Sequence, residues 1–219
     1  METYRTEEEQ VEALKKWWQE NGRSTIIGVV LALGLGFGWQ AWQKSQEQAV
    51  MNASTLYQQM LSALSVEDGQ GVGPAMELAR RIKDEYRGSS YARFAALHLA
   101  RVAVNDGDLS AAEDELRWVI AMSDRGDDLE RIANLRLARV LAARGATEEA
   151  LGLLDTQSAT YVASYAIARG DILLAQERNE EALAAFETAA SSLDPDRPLP
   201  QTLRDKLEYL RALQGGEAS

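Results

Sequence analysis

LARVAVNDGDLSAAEDELRWVI, residues 99–120, sets the architecture of this chain, because it recurs as LARVLAARGATEEALGLLD over residues 137–155. Each copy opens on Leu-Ala-Arg-Val, turns at a glycine (Gly107 or Gly145), and places a small residue five positions on (Ala112 or Ala150). A leucine follows four residues later, Leu116 or Leu154. The two glycines stand 38 residues apart, a period typical of stacked helical repeats. A third copy covers Ala166 to Ala189, with Ala182 and Phe186 in the same two roles and Asn179 near its turn. A degenerate first copy pairs residues 45–65 with Pro74–Tyr86, where Ala75 and Ala79 hold the small positions.

The spacing has a physical reason. A small residue at the closest crossing lets two antiparallel helices approach, and a larger apolar residue one turn on fills the space toward the next pair. No pair buries its own face, so pairs stack. Pro195, Pro198 and Pro200 stop the third repeat, and Leu203, Leu207, Leu210 and Leu213 then line one face of a closing helix. That helix covers the open end of the stack, opposite Arg204, Asp205, Glu208 and Arg211. Gly215-Gly216 marks the start of an expected flexible tail, residues 214–219. No alternating apolar–polar run demands a sheet. The expected fold is all-α.

The stretches at 107–116 (Gly-Asp-Leu-x-x-Ala-Glu-x-x-Leu) and 179–187 (Asn-Glu-Glu-Ala-Leu-Ala-Ala-Phe-Glu) resemble the tetratricopeptide repeat family. The aromatic residues usual early in the first helix of such repeats are mostly missing here.

Ahead of the repeats, Thr25 to Trp42 reads TIIGVVLALGLGFGWQAW. From Ile26 to Trp39 it carries no charge. As a helix it reaches roughly 27 Å, close to the hydrocarbon thickness of a bilayer. A cleavable signal would start nearer the terminus and end on small residues. Here Trp39 and Trp42 close the run as interfacial anchors. The expected organisation is an N-terminal segment (1–23), a transmembrane helix (24–42), a repeat domain (43–213) and the tail. Gly28, Ala32 and Gly36 share one face of the span, and Gly34 and Gly38 form a second small pair, a spacing that lets another membrane helix approach.

Arg5, Lys15, Lys16 and Arg23 precede the span, and only Lys44 lies between it and Arg80. The excess of basic residues on the near side places the amino terminus in the cytoplasm and the repeat domain outside, which in a bacterium is the periplasm. Val11, Leu14, Trp17 and Trp18 make an apolar stripe, read as a short interfacial helix or a docking peptide. Asn21-Gly22 is expected to break that helix before the span. Gly69, Gly71 and Gly73 lie in a linker that matches no phosphate-binding loop.

The chain carries net charge −11, most of it after the span, a poor basis for nucleic-acid binding. It has no cysteine and one histidine, His98, which excludes a Cys–His nucleophile pair and a His/Cys metal site. His98 is read as a packing or surface residue of a repeat helix, and Trp118 and Phe186 as core. Asp124, Asp127, Asp128 and Glu130 do not follow the calcium-loop pattern, and Asp127 or Asp128 is read as a helix cap. No catalytic constellation and no cofactor site is read from the residues. The remaining candidate is a groove on the first helices of the pairs, carrying Arg93, Arg101, Arg136, Arg139, Tyr165 and Arg169.

The whole layout is similar to the YfgM family, ancillary subunits of the bacterial SecYEG translocon. The similarity rests on Glu9-Gln10-Val11-Glu12-Ala13-Leu14-Lys15-Lys16, Glu20-Asn21-Gly22, Gly38-Trp39, and Asn134-Leu135-Arg136-Leu137-Ala138-Arg139-Val140. It implies an inner-membrane protein with a periplasmic repeat domain, associated with the translocon and with the chaperone PpiD, assisting exported client proteins. It implies no catalytic residues. It also implies an alternative, a tether whose cytoplasmic tail restrains an envelope-stress response regulator.

Overall fold

A computed structural model describes residues 7–66, 70–155 and 160–217. All regular structure among the described residues is α-helical. The helices are α1 (Glu7–Leu64), α2 (Val72–Glu85), α3 (Ser90–Asn105), α4 (Leu109–Ala121), α5 (Asp128–Ala143), α6 (Thr147–Leu154), α7 (Val162–Ala175), α8 (Asn179–Ser191) and α9 (Gln201–Glu217). The chain divides into two compact units, Met1–Asn52 and Ala53–Ser219.

In the first unit the helix runs through Asn21-Gly22 without the expected break. The Asn21 side-chain amide donates to the Trp17 carbonyl at 3.2 Å, and the Thr25 hydroxyl donates to the Asn21 carbonyl at 3.0 Å. Both polar side chains therefore bond along the helix instead of competing with it. Gly22 lies under the Trp18 indole, where an added Cβ would meet the ring at 3.2 Å. A glycine inside a helix costs about 1 kcal/mol. Cooperative propagation from a long run of good helix formers on either side outweighs that.

In the second unit each helix packs on the next, from α2 through α9. The first helices also touch each other, α3 on α5 and α5 on α7. The expected pairs are therefore α3–α4, α5–α6 and α7–α8, with the end of α1 and α2 as the degenerate first pair. The small positions Ala75, Ala79, Ala112, Ala150 and Ala182 are all fully buried. The fillers Leu116 and Phe186 are fully buried as well, and Leu154 is buried. Two core clusters result, one around Met60, Ala79 and Ile82 and a larger one from Ala96 to Leu210, and Trp118 packs against both.

The turns inside the three later pairs are the same device. Gly107 and Gly145 have φ of +80° and +85°. The following amides, Asp108 and Ala146, each reach back to the carbonyls of Ala103 and Leu141 at 2.9 Å. This closes α3 and α5 with a left-handed residue and a wide backbone bond. In the third pair the same place belongs to Glu177, with φ of +61°, and Arg178 donates to the Leu173 carbonyl at 3.0 Å. The third turn thus keeps the geometry without the glycine that marks it in the other two.

Leu203, Leu207 and Leu210 of α9 are buried against the stack, while Leu213 is partly exposed. The closing helix continues through Gly215-Gly216 to Glu217, beyond the expected end of the domain. Ala218 and Ser219, and Glu67 to Gly69 of the expected linker, lie outside the described residues. Pro74 falls in the first turn of α2 as expected.

Candidate functional site

The first helices of the pairs carry three hollows in a row. The first is lined by Tyr57, Phe94, His98, Leu129 and Ile132, with Arg101 and Arg136, and has a volume of about 240 Å³. The second, of about 360 Å³, lies among Leu97, Val104, Leu109, Leu116 and Val140. The third, of about 310 Å³, involves Ala142, Thr147, Asp171 and Ile172. Arg101 and Arg136 line both the first and the second hollow, and Arg139 lines the second and the third. These arginines are shared between successive, mainly apolar hollows.

The six residues read as a groove from the sequence separate into two sets. Arg101, Arg136 and Arg139 gather at these hollows. Arg93 is instead engaged by Asp127 at 2.8 Å and by the Ser90 hydroxyl at 2.9 Å. Arg169 is paired with Asp155. Tyr165 is buried, and its hydroxyl donates to the Arg131 carbonyl at 2.8 Å, tying α7 to α5. Burial raises its pKa, and the Glu130 charge adds to that. These three side chains are engaged within the stack and are not free to face a ligand.

Among the described residues, no carboxylate pairs with Arg101, Arg136 or Arg139, although ion pairs link many other basic groups of the domain. Burial, and then the charges of Arg101 and Arg139, push the pKa of Arg136 down. The same positive field reaches His98. Its Nε2 lies 3.2 Å from the Tyr57 hydroxyl, and burial, then Arg101 and Arg136, lower its pKa. His98 is half-buried in an aromatic cluster in which Tyr57 lies 5.6 Å from Tyr91 and 6.0 Å from Phe94. That role is the packing one expected for it.

Three acidic residues at the start of α5, Asp127, Asp128 and Glu130, have partners within the chain. Asp127 is the N-cap residue, but its carboxylate turns to Arg93 rather than to the helix amides. Asp128 faces Arg131 at 3.4 Å, and Glu130 accepts from the Gly126 amide. Trp118 carries Lys83 over its ring at 5.0 Å, while Phe186 is fully buried.

In the first unit, α1 is the one helix among the described residues long and apolar enough to cross a membrane. None of its apolar window is buried within the chain. Gly28, Gly34, Gly36 and Gly38 have nothing within 4 Å of an added Cβ. The Trp39 and Trp42 rings stack obliquely, 5.1 Å apart, at the end of the apolar run.

Residues 15–212 match the family model described as a tetratricopeptide repeat-like domain. A curated protein of Escherichia coli (strain K12), named an ancillary SecYEG translocon subunit, is 32% identical over 96% of this chain and 99% of its own length. The chain belongs to this family. A relative of the same name from Haemophilus influenzae is 32% identical over 85% of this chain and 89% of its own length. Another, from Aggregatibacter actinomycetemcomitans, is 33% identical over 84% and 88%. No solved structure matches the chain. The family membership agrees with the resemblance read from the sequence. It also covers apolar helix and repeats together, so the two units belong to one family pattern rather than to a chance fusion.

Proposed function

We propose that this protein is a single-span inner-membrane scaffold that associates with the SecYEG translocon and holds its repeat domain in the periplasm. The observation that carries this reading is relatedness to ancillary translocon subunits along nearly the whole chain, apolar helix included. The span lies in the bilayer with the amino terminus in the cytoplasm, following the basic residues Arg5, Lys15, Lys16 and Arg23. The faces of Gly28, Ala32 and Gly36, and of Gly34 and Gly38, are the places where a membrane helix of the translocon can approach closely. Trp39 and Trp42 anchor the far interface.

The repeat domain works by binding rather than by chemistry. Its groove along α3, α5 and α7 receives a periplasmic chaperone of the PpiD kind or a segment of an exported protein, with Arg101, Arg136 and Arg139 at its centre. Tyr165, Arg93 and Arg169 fix the helices that shape it.

Two labelling experiments test this. The chain has no cysteine, so Glu12→Cys and Glu208→Cys each introduce a single reporter. An impermeant maleimide applied to spheroplasts should modify the second and spare the first, and the reverse pattern would overturn the orientation. A photoreactive residue at Gly36 should crosslink to membrane subunits of the translocon. One at Val104 should crosslink to a periplasmic protein. Absence of translocon adducts from every position of the span would overturn the association.

A further inference from the structure

Among the described residues, Arg101, Arg136 and Arg139 have no carboxylate partner. Arg101, Arg136 and Arg139 stand between hollows whose other walls are mainly apolar or aromatic. The chain as a whole is acidic, with net charge −11. Carboxylates nonetheless go elsewhere: Asp127 to Arg93, Asp155 to Arg169, Glu115 to Lys83, Asp171 to Lys206. The three side chains are exposed, and the charges of Arg101 and Arg139 act on Arg136; like charges that act on one another favour the arrival of an anion. A planar guanidinium with free donors matches a carboxylate in two-point contact, and its stem can lie along apolar surface meanwhile.

Resting on the reading of this groove as the domain's binding surface, we infer that its ligand is an acidic, extended polypeptide segment in which carboxylates stand between bulky apolar side chains. One apolar side chain enters the hollow of Tyr57, Phe94, Leu129 and Ile132, and another enters that of Leu97, Val104, Leu116 and Val140. The intervening carboxylate meets Arg101 and Arg136, which line both hollows. A second carboxylate, beyond the second anchor, meets Arg139. A uniformly basic or purely apolar segment lacks the groups that the arginines require. Like charges on the rest of the acidic surface add repulsion against acidic segments that do not enter the groove, so selection is local.

The test is fluorescence anisotropy with full-length protein in detergent micelles and three short labelled peptides of one apolar pattern. Their intervening residues are glutamate and aspartate, glutamine and asparagine, or lysine. The acidic peptide should bind roughly tenfold or more tightly than the amide version, the worth of one charge-assisted hydrogen bond or more. Its affinity should fall with added salt. Arg136→Gln should remove most of that preference, and Val104→Glu, at a partly exposed position on the mouth of the second hollow, should weaken acidic binding in a protein that still folds. Arg80→Gln, on the exposed face of α2, should change neither. The single histidine gives a local readout: both peptides bury His98 alike, but only the acidic one offsets the charges of Arg101 and Arg136, so the His98 NMR titration should lie higher with the acidic peptide than with the amide version.

Equal binding of the amide and acidic peptides, or unchanged preference in Arg136→Gln, would overturn the charge selection while leaving the groove as the binding surface. Binding of none of the three would overturn both readings. Dimerisation in light scattering that Arg136→Gln abolishes would assign the groove to a second copy of this chain and overturn the inference.

Discussion

Phe186 of α8 lies so close over Gly170 of α7 that a Cβ on the glycine would stand 2.5 Å from the ring. The last repeat closes by placing its largest fully buried side chain against the one residue that leaves it room. The ring is fully buried, so it has little freedom to withdraw. Gly170→Ala should therefore destabilise the domain, because an overpacking cost of about 1–3 kcal/mol exceeds the helix-propensity gain of about 1 kcal/mol. Gly152 is a helical glycine with nothing within 4 Å of an added Cβ. Gly152→Ala should stabilise by up to about 1 kcal/mol. Denaturant melts of the two variants check the opposite signs.

Glu177 occupies the left-handed turn position that Gly107 and Gly145 hold in the other repeats. A side chain there costs roughly 1 kcal/mol. Glu177→Gly should raise stability by no more than about 0.5 kcal/mol, after the larger backbone entropy of glycine in the unfolded chain is subtracted. Gly107→Ala and Gly145→Ala should lower it by a comparable amount, in the same melts.

The ion pairs between repeats should differ in weight. Lys83 meets both oxygens of Glu115 at 2.7 and 2.8 Å, with side-chain exposures of 20% and 21%, and lies over Trp118 as well. Arg117–Glu149 is at 2.7 Å but 48% and 53% exposed. Glu115→Gln should cost about 1–3 kcal/mol, since it leaves a half-buried ammonium without its anion. Glu149→Gln should stay within about 0.5 kcal/mol of the parent.

His98 gives the stability a pH dependence of defined sign. Burial, then Arg101 and Arg136, hold its folded pKa below the ordinary 6.5. The unfolded chain therefore binds the proton more readily, and stability rises with pH across this window. The contribution is fully present above about pH 6.5 and is lost as pH falls toward the lower folded value. The melting temperature should decline between about pH 7.5 and about pH 5.5, and His98→Gln should flatten that decline.

Much of the fold was legible in the sequence because repeats impose local rules. Ala112, Ala150 and Ala182 announce close crossings by size alone, and Gly107 and Gly145 announce turns by conformation. Glu177 carries no such mark, since its left-handed turn is imposed by the helices it joins. Gly170 is equally silent: within a helix it reads as a weak former, and its purpose exists only once Phe186 is laid over it. Asn21-Gly22 reads as a breaker by composition, whereas the bonds to Trp17 and from Thr25 keep the helix intact. The groove was legible in part. Its arginines lie on the first helices as expected, but which of them are occupied depends on partners far along the chain, such as Asp127 for Arg93 and the Arg131 carbonyl for Tyr165. Spacing within a helix holds no record of those contacts.

A translocon-associated scaffold should co-purify with the translocon. Affinity purification of the full-length protein in mild detergent, with partners identified by mass spectrometry, tests it most directly. A parallel preparation carries Gly28→Leu, Gly36→Leu and Gly38→Leu, at positions where an added Cβ has nothing within 4 Å. The expected result is recovery of SecYEG subunits with a periplasmic chaperone, and loss of the SecYEG subunits from the leucine variant with the repeat domain still folded. Recovery of a cytoplasmic regulator with no translocon subunit in either preparation would contradict it.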